Sequence, residues 1–524
     1  MLATLRAGLF ALAALAGAAI AADPQTLVIG NGTEPESLDP QKATGVSAGN
    51  VLRDLYEGLT GVSPSGDIIP AAASSWQWQD DGRALRLTLR DGLRWSNGDP
   101  LTASDYAAGL RRLLDPATAS GYAKLFAAIE HGSEVIAGRL PPSALGLHAD
   151  DVGTLSIRLD RPMPNLLSLL AHPAASPIHP ADLARPPKPD ARIGNGAYRL
   201  TEWVLQLRIA LARNPAYWND RQTAIDRLIY LPTEDLNSEL KRYRAGELDV
   251  TTSIPATQAD WIRRTLGGEL HVATYLGSYF YGLNLTRPPF AGNKPLRQAL
   301  SLAIDRPVIA TKVLHDLAAP AWSYIPPGIR DYSPQLPEWA QWPRAQREAA
   351  ARRLYAAAGY SADKPVQIEI RYNTSDDHKR IAVVIAAMWK QVLGAEVRLV
   401  NEEWKVFLQH RRERRDTQAF RNTWIADSDD AQGFAEILDS RHPRNDSGYA
   451  DAGYDALLLE AAQARDPALR RAKLEAAERK MLDDAPILPI YFYASKHLVK
   501  PRVEGWQDNI LDWHYSKDLR LSGR

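Results

Sequence analysis

The chain has 524 residues, carries 62 Lys+Arg against 62 Asp+Glu, and so has a formal net charge of zero. That length exceeds what one hydrophobic core serves, so two or three lobes are expected, and the charge balance argues against a nucleic-acid binder, which shows a basic excess or stripe. Cysteine is absent, which excludes a disulfide framework, a cysteine nucleophile and a lipid-modified cysteine tethering the mature N-terminus.

Met1 to Ala21 reads as a secretory signal. Arg6 supplies the positive start, Ala7 to Ala19 is the apolar run, and Ala19-Ile20-Ala21 fits a small-x-small cleavage site. The run is too short to span a bilayer comfortably and polar sequence follows at once. The expectation is a chain cut near Ala22, exported to a periplasm and soluble there. Tyr (20) and Trp (14) outnumber Phe (8), which suits aromatic surfaces lining a wet cavity.

In chain order, Gln25 to Gly30 reads as a first strand, and Val51, Leu55 and Leu59 carry helical spacing. Trp76 to Trp78 and Leu85 to Leu89 alternate as strands do. A turn at Asn97 to Pro100 leads to a helix entered at Thr102 or Ser104, with Asp105 in its first turn. The Pro-rich stretch Pro177 to Arg192 suits a crossing between lobes. Strands are expected within 193–204 and 207–214, a helix near Ser238 to Ala245, and strand-like LDVTT after it. Arg347 to Gly359 is an amphipathic helix ending in glycine. VQIEIRY is an alternating strand, His378 to Leu393 a helix, and AEVRLV a further strand. This alternation predicts sheets covered by helices, an α/β chain.

One stretch concentrates chemistry: RNTWIADSDD, Arg421 to Asp430. Phe420 to Ala426 reads as a short strand. Arg421, Thr423, Ile425 and Asp427 then share one face, and Trp424 points to the other. Two readings stand side by side: a strand ending in an ordinary ion pair, or a pocket with a cation at one end and an anion at the other, suited to a zwitterion such as a peptide.

The segment LRLTLRDGLRWSNGDPLTASD resembles the signature of the extracytoplasmic solute-binding proteins of family 5, those that serve ATP-driven (ABC) peptide importers. Matching blocks continue in order across the mature chain: GNGAYRLTEWV, NPAYWND, YRAGELDV, PPF, IDRPVI, YNTSDDHKR, NEEWKVFL and PILPIYFYASKHLVKP. The resemblance implies a periplasmic-binding-protein-like clamp: lobes I and III close on the ligand, and lobe II is an extra α/β lobe. By analogy lobe I is discontinuous (23–56, 184–276 and 493–524), lobe II is 57–183 and lobe III is 277–492. It implies that Asp427 holds the ligand's α-ammonium and that the backbone around Thr423 and Ile425, beside Trp424, pairs with the peptide, with Tyr122 and Tyr493 also on its backbone. Arg421, Arg411 and His378 are successive places to meet a C-terminal carboxylate, and Trp404 walls a side-chain pocket. Thr44, Gly282 and Leu314 depart from the family pattern, which has glutamate, glutamate and lysine there. The implied partners are a short peptide and the membrane permease of an ABC importer. A monomer is expected, with no cofactor, no metal and no nucleic acid.

On residue type alone, His378 suits a helix-start surface site, Tyr122 an ordinary half-buried tyrosine, and Trp203, Trp218 and Trp389 the core. The run 410–416 suits a solvated helix face apart from Arg411. An exported hydrolase needs a nucleophile with its base, or metal ligands at characteristic spacing. The sequence has no Gly-x-Ser-x-Gly and no His-Glu-x-x-His, its 11 histidines are scattered, and Gly194-Asn195-Gly196 lacks a phosphate-loop pattern. Other rivals are a family binder of cell-wall peptides or of another small cationic or metal-chelate solute, and a structural or chaperone-like envelope protein.

Overall fold

The computed structural model describes residues 25–43, 45–184, 192–414, 416–426, 428–442, 444–464 and 466–523. The expected signal segment, Thr44 and Asp427 lie outside the described residues, as do residues 185–191 of the Pro-rich stretch.

Three sheets organise the chain. In the first, Thr26–Gly30 runs parallel to Arg227–Leu231, and the sheet continues antiparallel through Arg208–Arg213 to Tyr198–Val204. The helix Val46–Leu55 packs Val51, Leu52 and Leu55 against Leu27, Leu211 and Leu228 of that sheet. This helix starts before the Val51 suggested by spacing and stops short of Leu59. Tyr56 turns extended (φ −128°, ψ 151°), and Gly58 brings its backbone so close to Leu170 that a Cβ there would lie 2.2 Å from the Leu170 carbonyl oxygen. Leu59 therefore belongs to the next core.

That second core lies on an antiparallel sheet ordered Ala73–Gln79, Ala84–Leu89, Thr154–Arg158 and Leu147–Asp151. Leu85, Leu87 and Leu89 point inward and the residues between them do not, the period of two that a half-buried strand requires. The helix Ala103–Leu114 covers it. Its start is marked as expected: the Asp105 carboxylate accepts from the Thr102 N–H (2.8 Å) and hydroxyl (2.9 Å).

The third sheet has six strands, ordered Ala319–Pro320, Ile487–Leu498, Leu270–Leu283, Ala419–Ile425, Gln367–Asn373 and Glu396–Glu402. The helices Lys294–Leu302, Arg344–Ala357 and Asp376–Leu393 cover one face, with Trp389 wholly buried and its indole N–H donating to the Leu300 carbonyl at 3.0 Å. The helices Ala452–Gln463 and Pro467–Asp484 cover the other. Gly359, just past the end of Arg344–Ala357, has φ +90°, a left-handed value that glycine adopts at least cost. LDVTT forms no strand; Val250 makes single bridges to Ile29 and Val499.

Leu270–Leu283 and Ile487–Leu498 form a long antiparallel ribbon, paired from Leu270↔Leu498 to Gly282↔Ile487. One end packs with Leu240, Tyr243 and Leu248, the other within the six-stranded sheet. Register breaks lie between Thr274 and Ser278 and between Tyr279 and Phe280. No helix among the described residues is long and apolar enough to cross a membrane.

Candidate functional site: a cleft beside an open strand edge

The strand Ala419–Ile425 is central in the sheet order, but only part of it has neighbours on both sides. It pairs along its whole length with Leu270–Leu283, from Ala419↔Leu283 to Ile425↔Gly277. On the other side Gln367–Asn373 pairs only with Ala419 and Phe420. From Arg421 onward that edge has no strand beside it among the described residues. The Ala426 N–H goes to the Leu276 carbonyl (3.0 Å), so backbone alternation turns the main-chain groups of Thr423 and Ile425 toward the open edge. There the Thr423 N–H is met by the side-chain oxygen of Asn422 at 2.8 Å. Such an edge is a template for an added strand.

The two faces of this strand separate as its alternation predicts. Arg421 lies with Tyr279, Tyr493 and His378. Its guanidinium is 6% exposed, donates to the Tyr493 hydroxyl (3.3 Å) and Asn373 Oδ1 (3.4 Å), and sits 5.3 Å from the Tyr279 ring centre. No carboxylate among the described residues pairs with it. An unpaired buried cation is costly, so this face asks for an anion. His378 is half-buried, its Nδ1 3.5 Å from the Tyr279 hydroxyl, at the start of a helix capped by Ser375. Burial, and then the neighbouring Arg421, push its pKa down to about 4. At neutral pH the imidazole is uncharged and can still donate a hydrogen bond.

Trp424 faces the other way and packs against the core around Phe280 and Phe434. The Arg444 guanidinium lies 5.0 Å from its ring centre. With Lys124, Arg161 and Glu436, Trp424 lines a second hollow of about 150 Å³. Three buried polar atoms on this one strand, Arg421 Nε, Thr423 Oγ1 and Trp424 Nε1, find no hydrogen-bond partner among the described residues. Native chains leave few such atoms, and their gathering here marks the strand as a place built to receive something.

Arg411 stands apart from the open face. It is buried, ion-paired with Asp446 at 2.9 Å, and donates to Asn422 Oδ1 at 2.8 Å. Its charge is already matched inside the protein. Asp427 and the side chain of Trp404 lie outside what is described, but Ala426, the residue before Asp427, lines the main cleft.

That cleft, open to solvent, has a volume of about 280 Å³ and draws walls from far-apart segments: Val46, Arg53, Tyr122, Tyr275, Ile425 and Trp513 among them. Tyr122 packs on His172 (ring centres 4.5 Å apart), which neighbours Trp513 at 5.8 Å. The Arg53 guanidinium lies 5.2 Å from the Trp513 ring centre. Sequence reading missed Arg53, Trp513 and His172, since each sits in an unremarkable local pattern and only tertiary folding brings it to the cleft.

Two of the departures from the family pattern have a packing reason. A Cβ at Gly282 would lie 2.3 Å from the ring of Phe420, its cross-strand partner, so a larger residue would force that ring to move. Leu314 is buried in the core that contains Tyr279, Tyr281 and Tyr491. Trp218, expected in the core, is 37% exposed, its indole N–H on Glu57 (2.8 Å) and its ring under the Arg90 guanidinium (3.8 Å); these polar partners hold it at the surface.

The model of the bacterial extracellular solute-binding proteins, family 5 Middle, matches residues 67–446, more than half of the chain. The chain belongs to that family. The periplasmic oligopeptide-binding protein OppA of Escherichia coli K12 is 38% identical, over 99% of this chain and 97% of that protein. The solved murein tripeptide-binding protein MppA of E. coli superposes with a TM-score of 0.82 at 34% identity, covering 96% of this chain and 99% of that one. The Haemophilus influenzae OppA, solved in complex with RPPGFSPFR, gives 0.79 at 35% identity over 95% and 99%. The multi-lobe α/β clamp expected from the sequence is the fold of this family, and its members are binding proteins.

Proposed function

We propose that this chain is a soluble periplasmic binding protein that captures a short peptide between two lobes and delivers it to the permease of an ABC importer. The observation that carries the reading is Arg421, a buried guanidinium without a carboxylate partner among the described residues, beside a strand edge left open from that same residue onward. A peptide laid along the edge has its main chain hydrogen-bonded independently of its sequence. In this reading Thr423 and Ile425 pair with the ligand backbone, Tyr122 and Tyr493 flank it, and Arg421 with His378 meets the carboxylate end. Asp427 holds the α-ammonium, and Trp404 walls a side-chain pocket. Arg411, matched by Asp446, acts on the carboxylate only at a distance or through water. No catalysis, cofactor or metal is needed, and a monomer suffices. The lobes are taken as 23–56, 184–276 and 493–524; 57–183; and 277–492. In support, one buried cluster draws on residues 27–56, 197–250 and 499–519, a second on 59–175 and a third on 279–491.

Calorimetry with one tripeptide in free and N-acetylated form tests the anchor. The wild type should reject the acetylated form, while Asp427→Ala stays folded and loses that discrimination. Leaving one side of a buried pair unmatched costs about 3–5 kcal/mol, roughly 10²- to 10³-fold or more in affinity. Equal binding of both forms by the wild type would remove Asp427 from this role. The same cleft suits a cell-wall peptide, the ligand class for which MppA is named. Native mass spectrometry of the purified protein distinguishes the two: a ladder of ordinary two- to five-residue peptides, or one ligand of murein composition.

A further inference from the structure

Away from the strand Ala419–Ile425, two histidines and an aspartate converge where the long ribbon meets the C-terminal segment. His497 Nε2 lies 2.9 Å from Asp512 Oδ1, and His514 Nε2 lies 3.1 Å from the same oxygen. Within this group, one donor atom from each side chain lies within 4.8 Å of the others. We propose that His497, Asp512 and His514 form a binding site for a borderline divalent transition metal such as Zn²⁺ or Ni²⁺.

The geometry has the features such a site needs. A tetrahedral zinc about 2.1 Å from each ligand spaces the donor atoms roughly 3.4 Å apart, so small side-chain rotations of these three groups suffice. His497 Nδ1 lies 2.8 Å from the Thr251 carbonyl oxygen. A carbonyl only accepts, so Nδ1 carries a proton; Nε2 faces the Asp512 carboxylate, which also only accepts, so a bound metal takes the place of the Nε2 proton while the outer-shell carbonyl keeps the ring oriented. The His514 ring is stacked on Trp506, centres 3.7 Å apart and planes at 19°, which holds its plane. Asp512 has φ +56°, a left-handed conformation unusual for a residue other than glycine. The tight turn that imposes it, with the Asp512 N–H on the Asn509 carbonyl at 3.1 Å, aims the carboxylate between the two rings. His497 is 9% exposed, while Asp512 also lines the main cleft, so an ion has a way in and a fourth position open to water. Two imidazoles and one carboxylate favour Zn²⁺, Ni²⁺ or Cu²⁺ over Ca²⁺ and Mg²⁺, which prefer all-oxygen shells. His271 and Asp508 form a second pair against Trp506, 3.3 Å apart, next to the site rather than within it.

The competing account is that the three groups only form an internal ion pair. Titration calorimetry of the tag-free, chelator-stripped mature chain with ZnCl₂, NiCl₂ and CaCl₂ decides between them. The proposal expects one equivalent of Zn²⁺ or Ni²⁺ to bind saturably and Ca²⁺ not to bind. His514→Ala and Asp512→Asn should each weaken binding tenfold or more, and His148→Ala, at an exposed histidine on another sheet, should leave it unchanged. X-ray absorption on the nickel-loaded wild type should show two imidazoles, a readout that does not depend on a variant folding. No saturable binding at millimolar metal, binding that both ligand variants leave intact, or a spectrum without imidazole scattering would each overturn the site.

Discussion

Arg421 is the residue on which the proposed site rests most directly. Exchange for methionine keeps its length and removes its charge, and no described carboxylate is orphaned by the change. Arg421→Met is therefore expected to keep or raise folding stability while losing affinity for peptides with a free C-terminus by roughly 10²-fold, the lower end of what an unmatched buried charge costs. Amidated peptides should lose far less. Denaturant melts paired with calorimetry check both halves, and a variant that binds the free acid as well as wild type would refute the role. A second residue gives a pH signature. Burial, then repulsion from Asp430, pushes the Glu436 carboxyl up from 4.5 to about 7. A carboxyl raised in the folded state favours folding below its unfolded value, and that advantage is lost as pH rises from about 4.5 through about 7. At about 1.4 kcal/mol per tenfold change in proton affinity, the loss is at most roughly 3 kcal/mol. Glu436→Gln should flatten this slope, so its urea midpoint should exceed that of wild type at pH 8 and converge with it at pH 5.

At the scale of the element, the strand Ala419–Ile425 was legible from its residues, as was the division of its faces. The alternation that places Arg421 and Thr423 together and turns Trp424 away follows from a period of two, and no tertiary information is needed to see it. The open edge was not legible, because where Gln367–Asn373 stops pairing depends on a register between segments about fifty residues apart. The helix start at Thr102 was visible because Asp105 sits at the capping position. The end of Val46–Leu55 was not, because the constraint is the distant Leu170 carbonyl against Gly58. Resemblance named Arg411 beside Arg421, whereas its pairing with Asp446 could be read only from the fold. The open edge carries its own test. A tripeptide N-methylated at the amide facing Thr423 or Ile425 loses a main-chain hydrogen bond and gains a clash; the bond alone, about 0.5–1.5 kcal/mol, predicts roughly 2- to 10-fold weaker binding, and the clash adds to it. Methylation at the amide that points away should be tolerated. Equal tolerance at every amide would show that the strand edge does not hold the ligand.

For the whole molecule, the segments around the cleft meet through the ribbon, through a buried cluster that joins Val62 and Ala171 to Tyr324, Phe434 and Leu511, and through surface contacts such as Arg330 to Asp67 at 3.0 Å. Saturating peptide is expected to lower the radius of gyration in small-angle scattering, as a closing clamp requires; an unchanged value would argue against a hinge. Thr44, Gly282 and Leu314 stand where the resembled family pattern has two acids and one base, a net loss of one negative charge. Lys-rich tripeptides should accordingly rank below neutral ones in a binding screen, and a screen led by them would contradict this.

The ribbon itself limits what kind of closing is available. Leu270–Leu283 and Ile487–Leu498 cross side by side, joined by main-chain hydrogen bonds, with their register breaks near Thr274–Phe280. A single tether between two bodies permits torsion about its length and sideways slip. Two tethers bonded edge to edge stiffen against both and stay compliant chiefly to flexure out of their common plane, at the place where bulges weaken the ladder. If closing follows the ribbon, it should have close to one degree of freedom, like a door on a strip hinge. Whatever side chains a ligand carries, the outer rim of the shut protein would come to nearly the same shape, and that constancy is what a downstream receptor has to recognise.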